Sequence, residues 1–197
     1  MTLDLQYVII RNGRGKMFEV QNTQQIISIF NEYMVLDFPK DELKPLSHIL
    51  SMVEDGTCTF YALREDKEVL SYFSVCQNGN GLLVDYLAVN EKYRGQGIGS
   101  KTLDFLKSIS KNKYIIIECE NEDKAVDAAD RATRLRRISF YERAGFKRSG
   151  IASNLFGVDY IILTYPEGLN GEEIKELYSL IYLRMLGESM FNKFMKI

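Results

Sequence analysis

Leu82-Leu83-Val84-Asp85-Tyr86-Leu87-Ala88-Val89, then Arg94-Gly95-Gln96-Gly97-Ile98-Gly99-Ser100, then Lys101-Thr102-Leu103-Asp104-Phe105-Leu106-Lys107-Ser108-Ile109 are the runs that decide how this chain folds. The first is apolar enough for a buried strand, and the third spaces its apolar residues as a helix does. The middle run places three glycines between them. A strand, a glycine-rich turn and a helix in that order leave free main-chain N–H groups at the helix start, and glycines let a ligand approach that backbone closely. Those donors, with the positive end of the helix dipole, make an anion site that suits phosphate.

The spacing narrows the choice of phosphate ligand. Gly95, Gly97 and Gly99 alternate, so the run is not the G-x-G-x-x-G dinucleotide pattern. No Gly-Lys-Ser/Thr follows four variable residues, so it is not a P-loop, and Gly13-Arg14-Gly15-Lys16 fails the same test. What remains is Arg-x-x-Gly-x-Gly directly after a strand ending Leu-Ala-Val, which resembles the pyrophosphate-binding signature of the GNAT N-acetyltransferase superfamily. A second segment, Arg137-Ile138-Ser139-Phe140-Tyr141-Glu142-Arg143-Ala144-Gly145-Phe146, resembles that family's helix carrying Phe-Tyr-Glu-Arg and closing on Gly-Phe. Gly145 stands where a helix end requires a left-handed residue.

The resemblance implies acetyl-CoA as cosubstrate, no metal, and transfer of an acetyl group to a primary amine of a small molecule or peptide by direct attack in a ternary complex. It implies that main-chain N–H groups around Leu87, Ala88 and Val89 polarise the acetyl carbonyl. Arg94, Gly95, Gln96, Gly97, Ile98, Gly99 and Ser100 would hold the diphosphate. Tyr141 resembles the family tyrosine that protonates the departing sulfur, against a plain reading as a core aromatic beside Phe140. In Tyr114-Ile115-Ile116-Ile117-Glu118-Cys119-Glu120, strand alternation puts Glu118 and Glu120 on one face. Either is a candidate base, Glu118 ahead of Glu120; the plain reading is that they solvate the strand end or pair with Arg136 or Arg137. Asp85 is a further candidate, and Cys119 reads as a small buried residue. A non-catalytic acyl-CoA sensor or interaction module on the same fold is the alternative, and a longer acyl donor a third reading.

Composition sets wider bounds. A chain of 197 residues that is 46% hydrophobic supports one ordinary domain with an ample core. The net charge of -2 gives no case for nucleic acid or an anionic membrane. Three separated cysteines (Cys58, Cys76, Cys119) suggest reduced thiols in a cytoplasmic protein, and one histidine, His48, leaves little for zinc.

Hydrophobic patterning organises the rest. Residues 1–16 read as an N-terminal extension of unclear status, with Tyr7–Ile10 as a short strand candidate. Residues 17–165 form the acetyltransferase domain, beginning with a strand at 17–20 and a helix capped by Asn22 or Thr23. A second helix through Ile49 and Met52 follows. Strands at 57–63, 68–76, 82–89, 114–120 and 157–164 complete the pattern, with helices at 101–109 and between 125 and 141. The expected class is α/β in layers, a mixed and mostly antiparallel sheet flanked by helices, GNAT-like, with an added C-terminal helix. The charged stretch from Asn121 to Arg136 is either a solvated helix face or an acceptor-site lid. Residues 166–197 are a helical extension whose stripe at 174, 177, 178 and 181 packs on its own domain, or else on a homodimer partner.

Overall fold

A computed structural model of the chain describes residues 16–40 and 42–197. Among them are eight strands, β1 (Lys16–Val20), β2 (Cys58–Glu65), β3 (Glu68–Asn78), β4 (Gly81–Val89), β5 (Tyr114–Glu120), β6 (Lys147–Leu155), β7 (Val158–Tyr165) and β8 (Met195–Lys196). They form one sheet in the order β1-β2-β3-β4-β5-β7-β6-β8. β4 and β5 run parallel, whereas β1–β2, β5–β7, β6–β7 and β6–β8 are antiparallel. The helices are α1 (Thr23–Ile29), α2 (Val35–Asp37), α3 (Leu46–Glu54), α4 (Ile98–Ile109), α5 (Ala128–Arg143) and the C-terminal α6 (Gly171–Phe194). This is the expected layered α/β class with a mixed, mostly antiparallel sheet. The extension and the strand candidate at Tyr7–Ile10 lie outside the described residues, save Lys16, which opens β1.

The chain divides into two compact units. The first comprises residues up to Val75 and Asp85–Leu106. Asn22 caps α1 by accepting from the Gln25 amide while the Gln25 side chain accepts from the Asn22 amide, a reciprocal pair whose loss costs about 1 kcal/mol. α1 then buries Ile26 and Ile29 against Met34, Ile49, Phe60 and Tyr72. A π-helical turn, Phe30–Met34, carries the chain from α1 into α2. Phe18 stacks on Phe105 at 4.0 Å and Tyr61 on Phe73 at 5.0 Å, so β1, β2, β3 and α4 share one aromatic core.

The second unit comprises Cys76–Val84 and Lys107–Ile197. β4 pairs with β5 from Gly81↔Tyr114 to Val84↔Ile117, and β5 pairs on its other side with β7 from Ile115↔Tyr165 to Glu120↔Tyr160. α6 buries Ile174, Tyr178, Ile181, Tyr182 and Met185. Its Ile181 lies 3.0 Å from where a Cβ on Gly81 would stand, so that glycine lets helix and strand approach.

One expectation is corrected. The element order read from the sequence has one strand after α5, although Phe146 also reads as the point where the next strand starts; two strands, β6 and β7, form a hairpin there, turning through Phe156 and Gly157, both at positive φ. β6 is polar, Lys147-Arg148-Ser149-Gly150, with a bulge between Arg148 and Ala152. Its pairing with β7 overrides poor strand propensity. Cys119 is a free, buried thiol.

Candidate functional site

The first unit carries the expected cofactor residues. Leu87, Ala88 and Val89 are half-buried at the end of β4. Asn90 then anchors the exit, its main-chain amide donating to Leu70 and its side-chain amide to Val69, both at 3.0 Å. Its side-chain oxygen caps a short 3-10 turn, Glu91–Tyr93. Arg94 turns back on this strand end, Nε donating to the Val89 carbonyl at 3.2 Å and Nη2 to Asp37 Oδ1 at 3.4 Å.

Gly95 and Gly97 hold φ of +77° and +75°, a conformation that L side chains rarely adopt. No heavy atom lies within 4 Å of where a Cβ on either would stand. The turn is therefore left-handed twice and open. α4 begins immediately, with the Lys101 amide donating to the Gly97 carbonyl at 3.1 Å. A helix starting there directs the amides of Ile98, Gly99 and Ser100 outward without intrahelical acceptors. Ile98 is buried and pins the helix start, while Gln96 and Ser100 are exposed. Gly99 is already helical and plays no part in the bend. No acid occupies the first turn of α4, so the helix dipole faces an anion unopposed. These residues fit a diphosphate.

The second unit carries the acid–base candidates. Tyr141 is buried on α5, 5.2 Å from the Phe140 ring and 6.0 Å from Phe146. Gly145, at φ +93°, ends the helix, and the Phe146 amide returns to the Tyr141 carbonyl at 3.1 Å. Burial pushes the Tyr141 hydroxyl well above its ordinary pKa, the Cys119 thiol adds to the effect and Arg137 opposes it. Tyr141 thus holds its proton at every physiological pH. Burial also pushes the Cys119 thiol up to about 12, which keeps it protonated and unreactive.

The two glutamates of β5 stand in different surroundings. Glu120 sits between two guanidiniums, Arg134 Nη2 at 3.2 Å from Oε1 and Arg137 Nη1 at 2.8 Å from Oε2. Arg137 was among the expected partners; Arg134 was not. Glu118 accepts from the Tyr178 hydroxyl on Oε1 and from the Tyr182 hydroxyl at 2.6 Å on Oε2. Those tyrosines escaped the sequence reading because their positions fall on an apolar stripe. In the first unit Asp85, with a side chain only 4% exposed, pairs with Lys44 Nζ at 2.6 Å. Asp37, also unforeseen, accepts from Tyr72 at 2.8 Å as well as from Arg94.

The charged stretch after β5 becomes a 3-10 turn, Glu122–Lys124, and the start of α5, capped by Asp127. Among the described residues, no cluster of His, Cys, Asp and Glu can hold a metal ion, and no helix is long and apolar enough to cross a membrane.

Comparison with known proteins bears on this arrangement. The family model described as "Acetyltransferase (GNAT) domain" matches residues 56–148, a span that includes the glycine turn and Tyr141. The Bacillus subtilis (strain 168) protein named "Putative acetyltransferase YjbC" is 31% identical over 153 residues, 74% of each chain. A GNAT-family protein from Bacteroides thetaiotaomicron superposes with a TM-score of 0.71 at 21% identity, covering 87% of this chain and 98% of that one. The ribosomal-protein-S18-alanine N-acetyltransferase of Escherichia coli gives 0.58 at 17% identity, covering 80% and 97%. These two show a shared fold, and with the identity and coverage of the Bacillus subtilis relative the chain is a member of the GNAT acetyltransferase family.

Proposed function

We propose that the protein transfers an acetyl group from acetyl-CoA to a primary amine of a small molecule or peptide, by direct attack in a ternary complex. The observation that carries the proposal is the open turn at Gly95 and Gly97, left-handed at both and running directly into the start of α4. When bound, acetyl-CoA supplies an activated thioester. The amides of Ile98, Gly99 and Ser100 and the Arg94 guanidinium hold its diphosphate. Main-chain N–H groups around Leu87–Val89 donate to the thioester oxygen as negative charge grows there.

Glu118 takes the proton that the amine gives up as its nitrogen bonds to the acetyl carbon. The carbon–sulfur bond breaks and Tyr141 gives its proton to the leaving sulfur. What supports Glu118 over Glu120 is that Glu120 is held between two guanidiniums, whereas Glu118 accepts from the Tyr178 and Tyr182 hydroxyls.

Calorimetric titration with acetyl-CoA, followed by thiol release over a panel of primary amines, tests the proposal. Binding together with amine-dependent thiol release is expected. Binding without release across the panel favours the sensor reading, and no binding removes both.

A further inference from the structure

The C-terminal helix α6 sends two tyrosines, one turn apart, to the glutamate given the role of proton acceptor above. Tyr178 and Tyr182 are both buried, with rings 5.0 Å apart at 71°. Their hydroxyls donate to the two different oxygens of Glu118, and Ser153 on β6 lies 2.9 Å from the Tyr178 hydroxyl. Elements β5, β6 and α6 thus converge on one carboxylate. Phenylalanine would fill the same core volume, so packing alone does not account for the hydroxyls.

We infer that Tyr178 and Tyr182 are positioning residues, fixing the rotamer of the Glu118 carboxylate and tuning the pH at which it accepts a proton. The inference rests on the reading of Glu118 as base. Charged and titratable groups reach this carboxylate from several elements of the second unit. From α6 come the two tyrosines, whose hydroxyls burial and the Glu118 charge keep protonated in the case of Tyr178. β7 presents the apolar Ile162 in register, and β6 presents Ser153. On β5 itself stand the Cys119 thiol and Glu120, the latter neutralised by Arg134 and Arg137 of α5. A donor removed from the carboxylate raises its affinity for a proton.

The test uses the full chain as wild type, Y178F, Y182F and E118Q. The Glu118 carboxyl is titrated by carbon NMR, its signal identified by its loss in E118Q. The pH dependence of kcat/KM is measured for whichever of alaninamide, lysine and spermidine releases most thiol. Each Phe variant is expected to move the Glu118 titration and the acid limb of kcat/KM upward together, by about 1 pH unit, with acetyl-CoA affinity unchanged. A lowered melting temperature with both titrations unmoved overturns the inference and leaves the base reading intact. Should one Phe variant fail to fold, the other decides alone. An E118Q enzyme with wild-type turnover overturns the base reading and the inference together, while acetyl-CoA binding still stands or falls on its own titration.

Discussion

Arg94 donates from Nε to the main-chain oxygen of Val89 at 3.2 Å, tying the last residue of β4 to the turn that follows it. The guanidinium also reaches Asp37 at 3.4 Å, yet its side chain remains 59% exposed. A largely exposed arginine contributes little to stability but can offer its remaining donors to an anion. Arg94→Ala is expected to weaken acetyl-CoA binding about tenfold and to flatten its salt dependence, with the melting temperature nearly unchanged. Calorimetry at two salt concentrations checks this.

Tyr141 is the second test. Burial holds its proton in place, so Tyr141→Phe should lower turnover by roughly 10²–10⁴-fold while leaving acetyl-CoA affinity intact. Because its pKa lies above the ordinary tyrosine value of 10.0, the acid form persists below that, and the pH–rate profile should show no loss from Tyr141 up to about pH 9. Near-wild-type turnover in the Phe variant removes the tyrosine from the mechanism.

Asp85 and Lys44 make a partly buried pair at 2.6 Å, with 4% of the Asp85 side chain exposed. Lys44→Met would leave that carboxylate uncompensated. A loss of about 3 kcal/mol is expected, read as a lower urea midpoint with an unchanged slope. A pair of no structural consequence would leave the midpoint where it is.

Glu122 supplies a pH test. Burial pushes its carboxyl up, but the Arg148 hydrogen bond, a main-chain amide and the charges of Arg148 and Arg131 outweigh that and hold it below 4.5. A depressed carboxylate adds stability above its unfolded value and loses it as pH falls through the folded one. Glu122→Gln should therefore be about 1–2 kcal/mol less stable than wild type at pH 7, and the difference should shrink below pH 4.5. A constant difference from pH 7 to pH 3 contradicts the assignment.

The parts of the fold legible in the sequence are those where local chemistry and global packing agree. The glycine turn is one, since Gly95 and Gly97 occupy backbone positions that other residues avoid. Asn22 is another, because its cap is completed by Gln25 within the same turn. Only the start of β6, after Phe146, was legible, because the rest of its strand character comes from β7 and not from Lys147-Arg148-Ser149-Gly150. Tyr178 and Tyr182 were hidden for a related reason. Helical spacing marks which residues turn inward, but not that their hydroxyls meet a carboxylate sixty residues earlier in the chain.

The central claim is that the amides of the bend at Gly95–Gly97 grip the diphosphate of acetyl-CoA, and Gly97→Leu tests it most directly. A Cβ there meets nothing within 4 Å, so the fold should survive with a strain cost of about 1–2 kcal/mol from the left-handed backbone. Titrated with acetyl-CoA beside the wild type, the variant should bind at least ~100-fold more weakly, a loss of about 2.7 kcal/mol, while its melting curve stays cooperative. A folded Gly97→Leu protein with wild-type affinity would contradict the account.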